Sequence, residues 1–75
     1  MAASLDDVLQ LVRLTLGKRK VRAEDRLIED LGAESADLVN LMAAVEDRFG
    51  VYLGEDEIPA LRTVADLFDR LQARP

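Results

Sequence analysis

Leu5, Val8, Leu9, Val12 and Leu16 recur at intervals of three and four residues, which places them on one face of an α-helix. Ser4 and Asp7 stand where an N-cap and its returning acidic partner belong, and Gly17 follows the last apolar position. The spacing therefore predicts a helix from Leu5 to Leu16 closed by Gly17. Leu11 widens the stripe, whereas Leu14 falls on the far side, where the long loop that follows is the available cover. From Gly17 to Glu34 no period is sustained beyond a short anchor of Leu27, Ile28 and Leu31. A connection this long inside a compact chain is either a structured loop with a job or a sign of a misassigned element.

Periodicity resumes after Gly32. Ser35 is a good N-cap, and Leu38, Leu41, Met42, Val45 and Phe49 share one face of a second helix that Gly50 ends. Ala36, Val39, Ala43 and Glu46 fall on its outer flank, and the four-residue offset aligns Ser35, Val39, Ala43 and Asp47 in one row. Tyr52, Leu53 and Gly54 connect to Glu55-Asp56-Glu57-Ile58, a short acidic helix that Pro59 either cuts off or forces to restart. Thr63 with Asp66 repeats the capping box, and Val64, Leu67, Phe68 and Leu71 supply the stripe of a last helix reaching about Gln72. No stretch alternates with period two. The expected fold is all-α, a small bundle of three longer helices plus one short helix with a long first loop.

At 75 residues the chain is expected to form one domain spanning residues 1–75, with one small core. It has no cysteine and no histidine, so neither a disulfide nor a typical structural zinc site supports that core. The same absence removes any Ser-His or Cys-His nucleophile pair. Ser35 then has no imidazole to activate it, and if it is modified, another protein does so. An enzyme is not expected, and no metal site either.

The formal charge of −5 is unevenly spread. Residues 1–23 carry a net +3, residues 24–57 a net −9 and residues 58–75 a net +1. An acidic middle disfavours nucleic acid and steers towards basic protein surfaces, with simple solvation as the alternative. Lys18-Arg19-Lys20 with Arg22 lacks interleaved aromatics and reads as a solvated loop. Asp6 and Asp7 occupy the place where a signal peptide needs a basic start, and the longest apolar run is only Leu41 to Val45. These features point to a cytoplasmic, monomeric protein with no transmembrane segment.

Asp30-Leu31-Gly32-Ala33-Glu34-Ser35-Ala36-Asp37 resembles the D-L-G-A-D-S-L-D attachment sequence of acyl carrier proteins. Leu41, Met42, Glu46, Asp47, Phe49-Gly50-Val51 and Arg62-Thr63-Val64-Ala65-Asp66 also fall where that family places similar residues. The resemblance implies a long first loop that tucks aliphatics such as Val21, Leu27, Ile28 and Leu31 beneath the bundle. It also implies that Ser35 carries a covalent 4′-phosphopantetheine arm, moved from coenzyme A by a separate phosphopantetheinyl transferase. Cargo would then travel as thioesters on the arm's thiol in fatty-acid, polyketide or specialised lipid biosynthesis. Basic patches of acyl-transferring, condensing or ligase enzymes would dock on Asp37, Val39, Ala43, Glu46, Asp47, Glu55, Asp56 and Glu57. An acyl chain is expected to slip between the second helix and the short one, along a lining of Leu38, Met42, Val45, Ile58, Leu61 and Leu67. Glu34, Ala36 and Asn40 depart from the family pattern and suggest specialised partners. An aminoacyl or peptidyl carrier shares the serine chemistry with other cargo. An unmodified acidic helical adaptor, in which Ser35 only caps, is the reading of a different class.

Overall fold

The computed structural model describes residues 3–73, so the ends of the expected 1–75 domain, residues 1–2 and 74–75, lie outside the described residues. Helix α1 (Leu5–Leu16), helix α2 (Ser35–Phe49), a short 3-10 helix (Glu55–Ala60) and helix α3 (Val64–Gln72) follow in that order, with no strand among the described residues. The bundle is all-α, as the periodicity predicts. Ser4 Oγ accepts from the Asp7 N–H at 3.1 Å and Thr63 Oγ1 from that of Asp66 at 3.1 Å, so two predicted caps are in place. Pro59 sits inside the 3-10 helix and does not end it. A turn this short tolerates the missing N–H but does not propagate as an α-helix.

Two side-chain contacts fix the directions. Arg48 Nη2, in the last turn of α2, lies 3.9 Å from Asp7 Oδ1 in the first turn of α1. Gln72 Nε2, at the end of α3, donates to the Ala3 carbonyl at 2.6 Å. Both α2 and α3 therefore run antiparallel to α1 and parallel to each other, and both begin at the end of the bundle where α1 stops. Val8 and Val12 of α1, Leu41 and Val45 of α2, and Val64 and Leu67 of α3 are wholly excluded from solvent and form the aliphatic centre. No buried side-chain polar atom among the described residues lacks a partner.

The long first loop is structured. Leu27 N–H donates to the Arg62 carbonyl at 2.9 Å, Val64 N–H to Asp25 at 3.1 Å and Ala65 N–H to Ala23 at 2.8 Å. These bonds, with an isolated antiparallel bridge between Arg26 and Thr63, lash the loop to the start of α3. Val21, Leu27 and Leu31 are buried as expected, but Ile28 is 57% exposed and Ala33, 5% exposed, takes the inward position instead. The reason lies in the turn from Arg26 to Gly32: its hydrogen bonds from Leu31 to Arg26 and from Gly32 to Ile28 turn Leu27 and Leu31 inward and Ile28 out. Leu14 remains 71% exposed, so the loop does not cover it.

Candidate functional site

The start of α2 is set by what lies before it. Leu31 and Ala33 are buried on either side of Gly32, whose φ of 69° is the left-handed conformation that glycine adopts without a Cβ clash. The chain then runs extended through Glu34, at φ −99° and ψ 175°, which is the N-cap residue. Ser35 is the first helical residue and not the cap, which corrects the expectation from its residue type. The cap position follows the backbone reversal fixed by Leu31 and Ala33, and serine's intrinsic preference does not override that anchoring. Asp37 completes the start by accepting the Glu34 N–H at 2.9 Å.

The correction changes what the Ser35 hydroxyl can do. Ser35 is exposed, and its hydroxyl makes no hydrogen bond among the described residues. The first intrahelical bond of α2 runs from Leu38 N–H to the Glu34 carbonyl at 3.0 Å. The amides of Ser35, Ala36 and Asp37 therefore precede the helical ladder and lie at the positive end of the helix dipole. A phosphodiester on this oxygen would meet free backbone donors and a favourable field, so the residues present fit a covalently held phosphate arm.

Asp30 holds the preceding loop in shape. Its Oδ2 accepts from the Arg26 amide at 2.7 Å and from Arg26 Nε at 3.0 Å, while Oδ1 accepts from Arg26 Nη2 at 3.1 Å. The hydrogen bonds from Arg26 hold the Asp30 carboxyl below the usual carboxylate range, and Asp30 in turn raises the Arg26 guanidinium. This clamp was not apparent from spacing alone, because a charged pair four residues apart is commonplace on a surface.

A groove of about 600 Å³ opens between α2 and the 3-10 helix. Val39, Ala43 and Glu46 form one wall, Glu55, Asp56 and Ile58 the other, and Met42 and Leu53 reach into it. Val39 is one helical turn from Ser35 in the same row, so the groove begins about 6 Å along the axis from the candidate attachment residue. Met42 and Ile58 are thus placed as expected for a cargo lining. Leu38, Val45, Leu61 and Leu67 are packed in the closed core and do not line the groove.

The eight residues expected to dock partners divide into distinct settings. Val39, Ala43, Glu46, Glu55 and Asp56 border the groove; Asp47 is exposed on α2 outside it. Asp37 is engaged at the helix start, and Glu57 accepts the Gly54 N–H at 3.0 Å and faces Arg70 Nε at 3.6 Å. Tyr52, 68% exposed on the groove wall, escaped the sequence reading, although an aromatic left in a connection just after a helix-ending glycine was the available signal. No helix among the described residues is long and apolar enough to cross a membrane. No acidic cluster among them is arranged to hold a metal ion.

The family model described as the phosphopantetheine attachment site matches residues 6–71. The chain is 36% identical over 66 residues to the acyl carrier protein of Sulfurovum sp. (strain NBC37-1), covering 85% of this chain and 88% of that relative. It is 35% identical over 71 residues to the acyl carrier protein of Chlamydia trachomatis serovar D, covering 92% of each. Against that of Syntrophobacter fumaroxidans it is 34% identical over 73 residues, covering 95% of this chain and 90% of the relative. A helical bundle whose longest helix begins at an unengaged serine, matched along nearly its whole length in this way, belongs to the acyl carrier protein family, whose members are 4′-phosphopantetheine-bearing carriers and not catalysts.

Proposed function

We propose that residues 1–75 act as one carrier domain, that Ser35 Oγ is the attachment point, and that the cargo is an acyl group of fatty-acid, polyketide or specialised lipid biosynthesis. The observation that carries this reading is the Ser35 hydroxyl itself: exposed, unused as a cap and placed at the first position of α2. In the transfer, Ser35 Oγ forms the new bond to the phosphorus that bears the pantetheine unit of coenzyme A. The bond to the bridging oxygen breaks, the adenosine bisphosphate leaves, and the hydroxyl proton goes to a base of the transferase. Once attached, the arm supplies a thiol on which acyl groups are held as thioesters. The chain's own part is to present that arm, to screen its phosphate with the first-turn amides, and to raise the effective concentration of tethered cargo at each docked enzyme.

Docking is electrostatic in this reading. Glu46, Glu55 and Asp56 are exposed at the groove and Asp47 on α2 outside it, and together they meet basic patches of acyl-transferring, condensing or ligase enzymes in the cytoplasm, where the carrier works as a monomer. The apolar floor at Met42, Leu53 and Ile58 favours an acyl chain over an aminoacyl group as the cargo. Shifts of the Met42 methyl NMR signal on long-chain acylation are expected; a spectrum identical to that of the unacylated carrier excludes the groove as its resting place.

Incubating the purified chain with coenzyme A and a promiscuous phosphopantetheinyl transferase, then measuring intact mass, tests the attachment. One phosphopantetheine is gained by the wild type and none by Ser35→Ala. Modification of the variant moves the attachment point away from Ser35, and modification of neither protein returns the chain to the adaptor class.

A further inference from the structure

The groove and the acidic face belong to the carrier function already described, but one surface lies outside it. Arg22, Arg26, Arg48 and Arg70 each have a carboxylate within 4.0 Å. Arg13, Lys18, Arg19 and Lys20 have none among the described residues, and all four are exposed. Leu14, 71% exposed, stands among them.

The backbone makes these residues one patch. Gly17 turns left-handed at φ 66°, and the Lys18 N–H donates back to the Arg13 carbonyl at 2.9 Å. This closure folds the start of the Lys18-Arg19-Lys20 run against the last turn of α1. Val8, Leu11 and Val12 are the buried face of α1, and the 100° step per residue puts Arg13 and Leu14 on the sides turned away from it. The nearest acids in sequence are Asp6 and Asp7, about two turns back along α1, and Glu24 and Asp25 beyond the run, with Asp7 facing Arg48 and Asp25 already engaged by Arg22.

We propose that Arg13, Leu14 and Lys18-Arg19-Lys20 form a peripheral contact for an anionic lipid surface. A planar array of anionic headgroups asks only for several cations in one place and an aliphatic side chain to enter the headgroup boundary. A protein partner commonly engages about 20–30 residues a side, far more than this patch offers. The acidic segment does not cancel the attraction. Of the α2 acids, Asp37 lies at the end where α1 stops but is engaged with the Glu34 N–H, whereas Glu46 and Asp47 lie about 14 Å further along the axis of α2, beyond the roughly 8 Å over which charges are screened at physiological ionic strength. The contact is therefore weak, reversible and salt-sensitive, and it is independent of whether Ser35 is modified.

Co-flotation of the purified full chain with vesicles tests it. Vesicles of equal parts phosphatidylglycerol and phosphatidylcholine should retain several-fold more protein at physiological salt than vesicles of phosphatidylcholine alone, with most of it released at about 1 M salt. The triple variant K18Q/R19Q/K20Q should lose that preference, and Leu14→Ala should lower retention several-fold with an unchanged circular dichroism spectrum. Ser35→Ala should bind as the wild type does, which separates this contact from the attachment chemistry. Equal retention on the two vesicle types, or a triple variant that binds like the wild type, overturns the proposal. A chain that ignores anionic vesicles but is captured by immobilised poly-L-glutamate overturns it too, and assigns the patch to an acidic protein.

Discussion

Two hydroxyls at helix starts have opposite roles in this chain. Thr63 Oγ1 accepts the Asp66 N–H and caps α3, whereas the Ser35 hydroxyl is one position too far into α2 to cap it. Thr63→Ala is therefore expected to cost about 1 kcal/mol, and Ser35→Ala to stay within about 0.5 kcal/mol of the wild type. Urea titration of both variants checks this; an equal loss for the two would mean that the serine hydroxyl is engaged by the helix after all. Asp30 offers a pH-dependent counterpart. Arg26 depresses its folded-state pKa, so its stabilising contribution is present above the ordinary aspartate value of about 3.9 and is lost as pH falls through the lower folded value. Asp30→Asn should flatten the acid limb of a plot of melting temperature against pH. An unaltered acid limb would show that the clamp does not form in solution.

At the level of the elements, glycines separate backbone conformation from packing. Gly50 closes α2 at φ 70° with its N–H on the Glu46 carbonyl at 2.9 Å, and a Cβ there meets nothing within 4 Å. Gly50→Ala is thus expected to cost about 1–2 kcal/mol through left-handed strain alone. Gly54 has an ordinary φ of −75°, but a Cβ there meets Asp56 Oδ1 at 2.5 Å. Since Asp56 is exposed, Gly54→Ala should displace that carboxylate from the groove rim at little cost to stability. Thermal melts of the two variants compare the costs, and comparable losses would contradict this division. The bounds of α1 were legible because its apolar period, the Ser4 capping box and the terminal Gly17 agree, and those of α3 because its stripe agrees with the Thr63 capping box. The start of α2 was legible only to within one residue. Its cap depends on how deeply Leu31 and Ala33 are buried, which local propensity does not encode.

For the whole molecule, stability rests on a small aliphatic centre. Leu41 is wholly buried, and Leu41→Ala is expected to cost about 2–5 kcal/mol against a total of roughly 4–11 kcal/mol for a chain of this size. Chemical denaturation should show a clear fall in midpoint, and a loss below about 1 kcal/mol would mean that α2 packs differently. The acidic middle sets a kinetic expectation as well: the initial rate of transferase modification should fall with added salt, and a rate indifferent to ionic strength would argue against electrostatic docking. The sequence by itself determined the helical class, the limits of α1 and α3, the uneven charge and the octet around Ser35, because periodicity, capping chemistry and charge are properties of neighbouring residues. The tertiary structure alone decided that α2 and α3 start at the same end of the bundle and that Ile28 and Leu14 face water. It alone left the Ser35 hydroxyl unengaged and opened a groove between α2 and the 3-10 helix. Those outcomes depend on which distant surfaces the aliphatic centre brings together, and no local pattern carries that information.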